Sequence, residues 1–152
     1  FVVATTNSVE EEFYKNIIAN KNILLARNET YGLLKNAKAA LVASGTATLE
    51  TALLGVPQVA CYKTNFFSYL VARLLVKTKF ISLVNIITDK LAVKELIQNE
   101  LNGQNLSASL SDILDDTNRE RILIDYKELK VKLGYKGASN KVADLIITDI
   151  GK

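Results

Sequence analysis

The residues best spaced for chemistry are Ser44, Gly45 and Thr46, between an apolar run at Ala39–Ala43 and a helical pattern from Thr46 to Leu54. A loop from a strand into a helix presents unpaired backbone N–H groups at the positive end of the helix dipole. Gly45 lets a ligand approach the main chain, and the hydroxyls of Ser44 and Thr46 add donors. That arrangement suits a phosphate-sized anion. It also reads as an ordinary helix cap. Glu50 lies about one turn into the helix, where a carboxylate can accept hydrogen bonds from both hydroxyls of a ribose or simply sit solvated near the helix start.

Tyr62 and Lys63 close the next apolar run, Gln58–Tyr62, and should face the same crevice. Lys63 is either a point charge for a phosphate or a plain surface lysine. Asn85 follows the run Phe80–Val84 and is expected at the same edge, to read a uracil or to hold a loop. Glu95, expected on a helix after it, is a second sugar or ribose contact or a surface residue.

Several chemistries are excluded. The chain has no histidine, so imidazole bases, histidine metal sites and a serine hydrolase triad are absent. No GxxxxGK[ST] loop, no GxGxxG after a strand and no GxSxG elbow occurs. Asp115-Asp116 falls in a helical stretch and reads as a helix start, not a metal pair. No metal or cofactor is called for. The net charge of +3 over 152 residues tolerates an anionic ligand without the basic stripe of a nucleic-acid binder. The one cysteine, Cys61, follows Val59 and Ala60 and reads as a buried strand thiol in a reducing compartment, the cytosol by default. The chain has no methionine and opens on the strand-like Phe1–Ala4, which reads as an excised piece of a longer protein. No signal peptide is visible, and the most apolar stretch, Phe66–Val76, is too short to span a bilayer.

These residues need a scaffold. Apolar runs at Phe1–Ala4, Asn22–Ala26, Ala39–Ala43, Gln58–Tyr62 and Phe80–Val84 recur about every 20 residues, the beat of βα units in a parallel sheet. Ser8-Val9-Glu10-Glu11 reads as a capping box for a helix towards Ala19, and Thr30 as the cap of Tyr31–Asn36. Gly55 and Pro57 stop the helix that begins at Thr46. Phe67–Lys77 reads as an apolar helix. Beyond Asn85 the spacing predicts helices only, over Lys90–Asn99, Asn105–Leu114, Asp116–Leu133 and Ala138–Thr148, broken by Gly103 and Gly134–Gly137. The tail after Gly103 has two possible supports, its own sheet or a partner.

The run from Ala43 to Pro57, Ala-Ser-Gly-Thr-Ala-Thr-Leu-Glu-Thr-Ala-Leu-Leu-Gly-Val-Pro, resembles the nucleotide-binding stretch of lipid A disaccharide synthases. So do Tyr62-Lys63-Thr64-Asn65, Tyr69–Lys77, Ser82-Leu83-Val84-Asn85 and Val93-Lys94-Glu95-Leu96-Ile97-Gln98. The resemblance implies the C-terminal half of a GT-B-type glycosyltransferase. Residues 1–100 would be its Rossmann-like nucleotide-sugar-binding domain and residues 101–152 a helical tail of the same domain. It implies transfer of diacylglucosamine from its UDP derivative to diacylglucosamine 1-phosphate, with inversion and without a metal. The enzyme would act at the inner face of the bacterial inner membrane, as a possible homodimer. UDP contacts would fall to Ser44, Gly45, Thr46, Thr48, Glu50, Tyr62, Lys63, Asn85 and Glu95, and the base to a half not present in this chain.

Departures from that pattern are specific. Val84 stands where the family has proline, Lys63 and Lys90 where it has arginine, and Leu91 where an acidic residue is common. The first motif alone also resembles the peptidoglycan N-acetylglucosaminyltransferase and UDP-sugar epimerases, and a non-catalytic nucleotide-binding module is a further reading. The segment Phe66–Val76, with Arg73, Lys77 and Lys79 near its end, is either a core helix or a lipid-facing one.

Overall fold

Short apolar runs can form a parallel sheet only if helices cover both its faces, so each strand is followed by chain that must turn back over it. A computed structural model describes residues 1–18, 22–43, 45–65, 79–134 and 138–150. Strands β1 (Val2–Thr5) and β2 (Leu24–Arg27) pair in parallel, Val2 beside Leu24 and Thr5 beside Arg27. A second parallel ladder runs β3 (Ala40–Ala43), β4 (Gln58–Tyr62), β5 (Lys94–Ile97), in that spatial order. Helices α1 (Glu11–Ile18), α2 (Thr30–Asn36) and α3 (Thr46–Leu53) connect successive strands, and α4 (Leu83–Thr88) precedes β5. A single 3₁₀ turn, Gln98–Glu100, leads to α5 (Gly103–Leu114), α6 (Asp116–Leu133) and α7 (Ala138–Ile150). The architecture is the α/β arrangement of parallel strands flanked by helices, with a helical tail.

The core gathers on the second ladder. Val59 and Ala60 of β4 and Leu96 of β5 pack with Ala52 of α3, Val84 of α4 and Ile113, Ile122, Tyr126 and Leu129 of the tail. The tail therefore covers its own sheet. Its corner is made by Asp115, whose side chain accepts from the N–H groups of Thr117 and Asn118, both at 3.1 Å. Asp115 is thus the helix start that the sequence suggested. By contrast α1 and α2 bury no residue. Among the described residues no helix is long and apolar enough to cross a membrane. The apolar helix expected at Phe67–Lys77 lies outside the described residues.

Four expectations about elements are corrected. Thr30 is not a cap: it is the first residue of α2, whose N-cap is Glu29. Phe80–Val84 is not a strand: helix α4 starts at Leu83, with Ser82 as its cap accepting from Asn85 N–H at 3.3 Å. A five-residue apolar run cannot by itself separate a strand from a buried helix turn. Lys90–Asn99 is not a helix: Lys94–Ile97 forms β5, so the strand beat continues past Asn85. Helix-favouring Lys94 and Glu95 are overridden there by pairing with β4 and burial of Val93 and Leu96. The first helix begins at Glu11, and Ser8 turns its N–H back to Thr6 Oγ1 at 3.4 Å.

Candidate functional site

Strand register decides which candidates meet. Ala43 at the end of β3 lies beside Cys61, and Tyr62 at the end of β4 lies beside Ile97. Adjacent strands are about 4.8 Å apart, so the chain leaving β3, β4 and β5 emerges along one carboxyl edge. Gly45 and Thr46, Tyr62 and Lys63, and Gln98 all belong to that edge. Ser44 lies outside the described residues.

Gly45 is the N-cap of α3 at φ 141°, ψ −159°. A Cβ there would meet nothing within 4 Å, so the backbone conformation, not crowding, favours glycine. No side-chain hydrogen bond caps the start of α3. The Thr48 N–H donates to the Gly45 carbonyl at 3.2 Å. The N–H groups of Thr46 and Ala47 have no side-chain cap, and Gly45, Thr46 and Ala47 are exposed. Thr48 is different: it is fully buried and its Oγ1 donates to the Gly45 carbonyl at 2.7 Å. The Thr48 carbonyl in turn accepts from Gln58 Nε2 at 2.7 Å. The first turn of α3 is thereby stitched to β4.

Glu50 is half-buried on α3 and its Oε2 accepts from the Tyr31 hydroxyl at 3.3 Å. Tyr62 is half-buried and Lys63 exposed. Cys61 is half-buried on β4, and burial pushes its thiol pKa up, which keeps it protonated.

Asn85 and Glu95 are placed elsewhere, and the expected setting of each is corrected. Asn85 is in α4, not on a strand edge, and is fully buried. Its Nδ2 donates to the Val93 carbonyl at 2.7 Å and to Glu95 Oε1 at 2.8 Å, and its Oδ1 accepts from Val93 N–H at 2.8 Å. Glu95 is in the middle of β5, not on a helix, and 9% exposed. Its carboxylate also accepts from the N–H groups of Ile81 and Ser82, at 3.0 and 2.9 Å. The pair clamps the approach to α4 onto β5, and its hydrogen-bonding capacity is directed inward.

Two residues that sequence reasoning did not single out stand at the edge group. Tyr31 meets Glu50, and Gln98 binds the backbone of Thr64 next to Lys63. Gln98 ends a segment that carries the family resemblance, but neither contact has a local signal, because the partners are 19 and 34 residues away.

Comparison with known proteins gives the family. The family described as lipid-A-disaccharide synthetase matches residues 1–149. The chain is similar to the lipid-A-disaccharide synthase of Syntrophus aciditrophicus, 38% identical over 100% of this chain and 41% of the relative. Identity to the lipid-A-disaccharide synthase of Persephonella marina is 36%, over 96% of the chain and 40% of the relative. For lipid-A-disaccharide synthase 1 of Legionella pneumophila it is 30%, over 99% and 40%. The chain spans about two-fifths of the length of these relatives. A match running almost from end to end, carried on an edge of parallel strands with an open helix start, means that the chain belongs to the lipid-A-disaccharide synthetase family.

Proposed function

We propose that this chain is the UDP-sugar-holding part of a glycosyltransferase that moves diacylglucosamine from its UDP derivative to diacylglucosamine 1-phosphate. The observation that carries the reading is the start of α3: a helix N-terminus without a side-chain cap, at the carboxyl edge of a parallel ladder, the edge from which Lys63 also leaves. Open α/β sheets bind ligands at that edge.

In the complete enzyme the acceptor hydroxyl oxygen attacks the anomeric carbon. The bond from that carbon to the β-phosphate oxygen breaks with inversion, and UDP leaves with the electron pair. The acceptor's proton goes to a base outside this chain. Negative charge then grows on the diphosphate. Main-chain N–H groups at Gly45, Thr46 and Ala47 would stabilise it without reorganising, and Lys63 adds a positive charge. One lost donor of this kind costs about 3 kcal/mol of barrier. No metal is required on this reading. Glu50 holds the ribose hydroxyls, while Thr48, Asn85 and Glu95 serve the site from behind by fixing α3 and α4. The acylated substrates would place the enzyme at the inner face of the cytoplasmic membrane, and a homodimer is part of the family expectation.

Glu50 supplies the test. Glu50→Ala in the complete enzyme should weaken UDP binding about tenfold, as expected for lost hydrogen bonds to a charged group. Titration calorimetry with UDP, and ADP as control, measures it. Unchanged UDP affinity removes the ribose assignment.

A further inference from the structure

Gln98 lies outside the proposed set but binds the backbone of the residue that follows Lys63. It opens the 3₁₀ turn after β5, on the same carboxyl edge as Tyr62. Its φ is 50°, in the left-handed region that side-chain-bearing residues enter at a cost. Residues held that way persist when their surroundings demand it, and they concentrate at functional sites.

What Gln98 does from that position is specific. Its Oε1 accepts from Thr64 N–H at 2.9 Å, and its Nε2 donates to the Thr64 carbonyl at 3.1 Å. A carboxamide that meets both peptide groups of one residue imitates a neighbouring strand. The ladder between β4 and β5 is thus prolonged past its last main-chain pair, Tyr62 with Ile97. Lys63 lies between two fixed points, Tyr62 in the sheet and Thr64 in the carboxamide grip, while Lys63 itself is exposed.

We infer that Gln98 is a positioning residue for Lys63: by gripping Thr64 it sets the direction from which the lysine meets the diphosphate. The inference rests on the reading of Lys63 given above.

The test is a double-mutant cycle in the complete enzyme, with Gln98→Ala, Gln98→Gly, Lys63→Ala and the combinations. KM for the UDP-sugar should rise about fivefold to tenfold in each Gln98 variant, the loss expected for a pair of neutral hydrogen bonds. The kcat should fall as well, by no more than Lys63→Ala lowers it, because the lysine meets a charge that grows on the diphosphate as the bond breaks. Gln98→Gly should be at least as heat-stable as Gln98→Ala, because glycine accepts the positive φ. Adding either Gln98 change to Lys63→Ala should raise KM no further. Wild-type KM in folded Gln98 variants, or a rise that simply adds to that of Lys63→Ala, overturns the inference. So does failure of both Gln98 variants to fold, which would make Gln98 a residue of the fold alone. If Lys63→Ala leaves KM unchanged, the reading of Lys63 itself fails. If Lys63→Ala raises KM and the Gln98 variants do not, only the present inference falls.

Discussion

Asn85 illustrates how far a polar side chain can be committed to the interior. Two donor contacts and one acceptor contact tie it to Val93 and Glu95, all at 2.8 Å or less. Removing one partner from such a buried set leaves the others unsatisfied, which costs more than the bonds themselves contribute. Asn85→Ala should therefore destabilise the protein by about 2–4 kcal/mol, measured by urea unfolding. A variant of wild-type stability that has lost UDP affinity would return Asn85 to the ligand. At this scale the sequence was informative about Gly45 and Thr46, because a helix start is a local event. It was uninformative about Asn85, because an asparagine beside a helix looks the same whether its partners are a ligand or a strand several residues on.

At the scale of elements, α6 is the piece that locks α4 and β4 together. Tyr126 of α6 is 1% exposed, and Gln58 Nε2 points at its hydroxyl at 3.4 Å. Gln58 Oε1, also buried, has no hydrogen-bond partner among the described residues. Lys90, just beyond α4, pairs with Asp125 at 2.6 Å and with Glu128, and Lys132 donates to the Thr88 carbonyl at 2.9 Å. Burial pushes the Tyr126 pKa up to about 12 from its ordinary 10.0. The folded state then binds the phenolic proton more tightly than the unfolded chain does. The stability it contributes is complete below pH 10 and is lost as pH rises from about 10 to about 12. The ion pairs to Asp125 and Glu128 raise the Lys90 pKa, so its contribution also fades in alkali. Tyr126→Phe should cost about 1 kcal/mol or less at neutral pH. It should lose stability less steeply above pH 10, with the residual slope owed to Lys90. Urea midpoints at about pH 8 and about pH 11 measure the difference, and parallel losses in both proteins would refute it.

For the whole molecule, we propose that the tail completes the domain. Ile113, Ile122, Tyr126 and Leu129 join the cluster built on β4 and β5. Burying four such side chains contributes about 6–12 kcal/mol at ~1.5–3 each, comparable to the whole net stability of an ordinary domain. We therefore place residues 1–100 and the tail in one folding unit. A chain ended after Asn102 should not fold, as read by near-UV circular dichroism and amide dispersion in NMR spectra. A cooperative thermal transition in that shortened chain would make the first hundred residues independent.

The sequence alone determined whatever depends on neighbours along the chain: the βα beat up to β4, the start of α3 at Thr46, its stop before Gly55, the cap at Asp115 and the span of α6. Each is a local contest between backbone N–H groups, caps and side-chain entropy. Tertiary structure decided what depends on who lies across the fold. It turned Lys94–Ile97 into a strand by pairing it with β4, drew Phe80–Val84 into a helix entry held by the Glu95 carboxylate, and brought Gln98 to Thr64. Those outcomes rest on pairings between residues 13 to 35 apart, which no local pattern encodes.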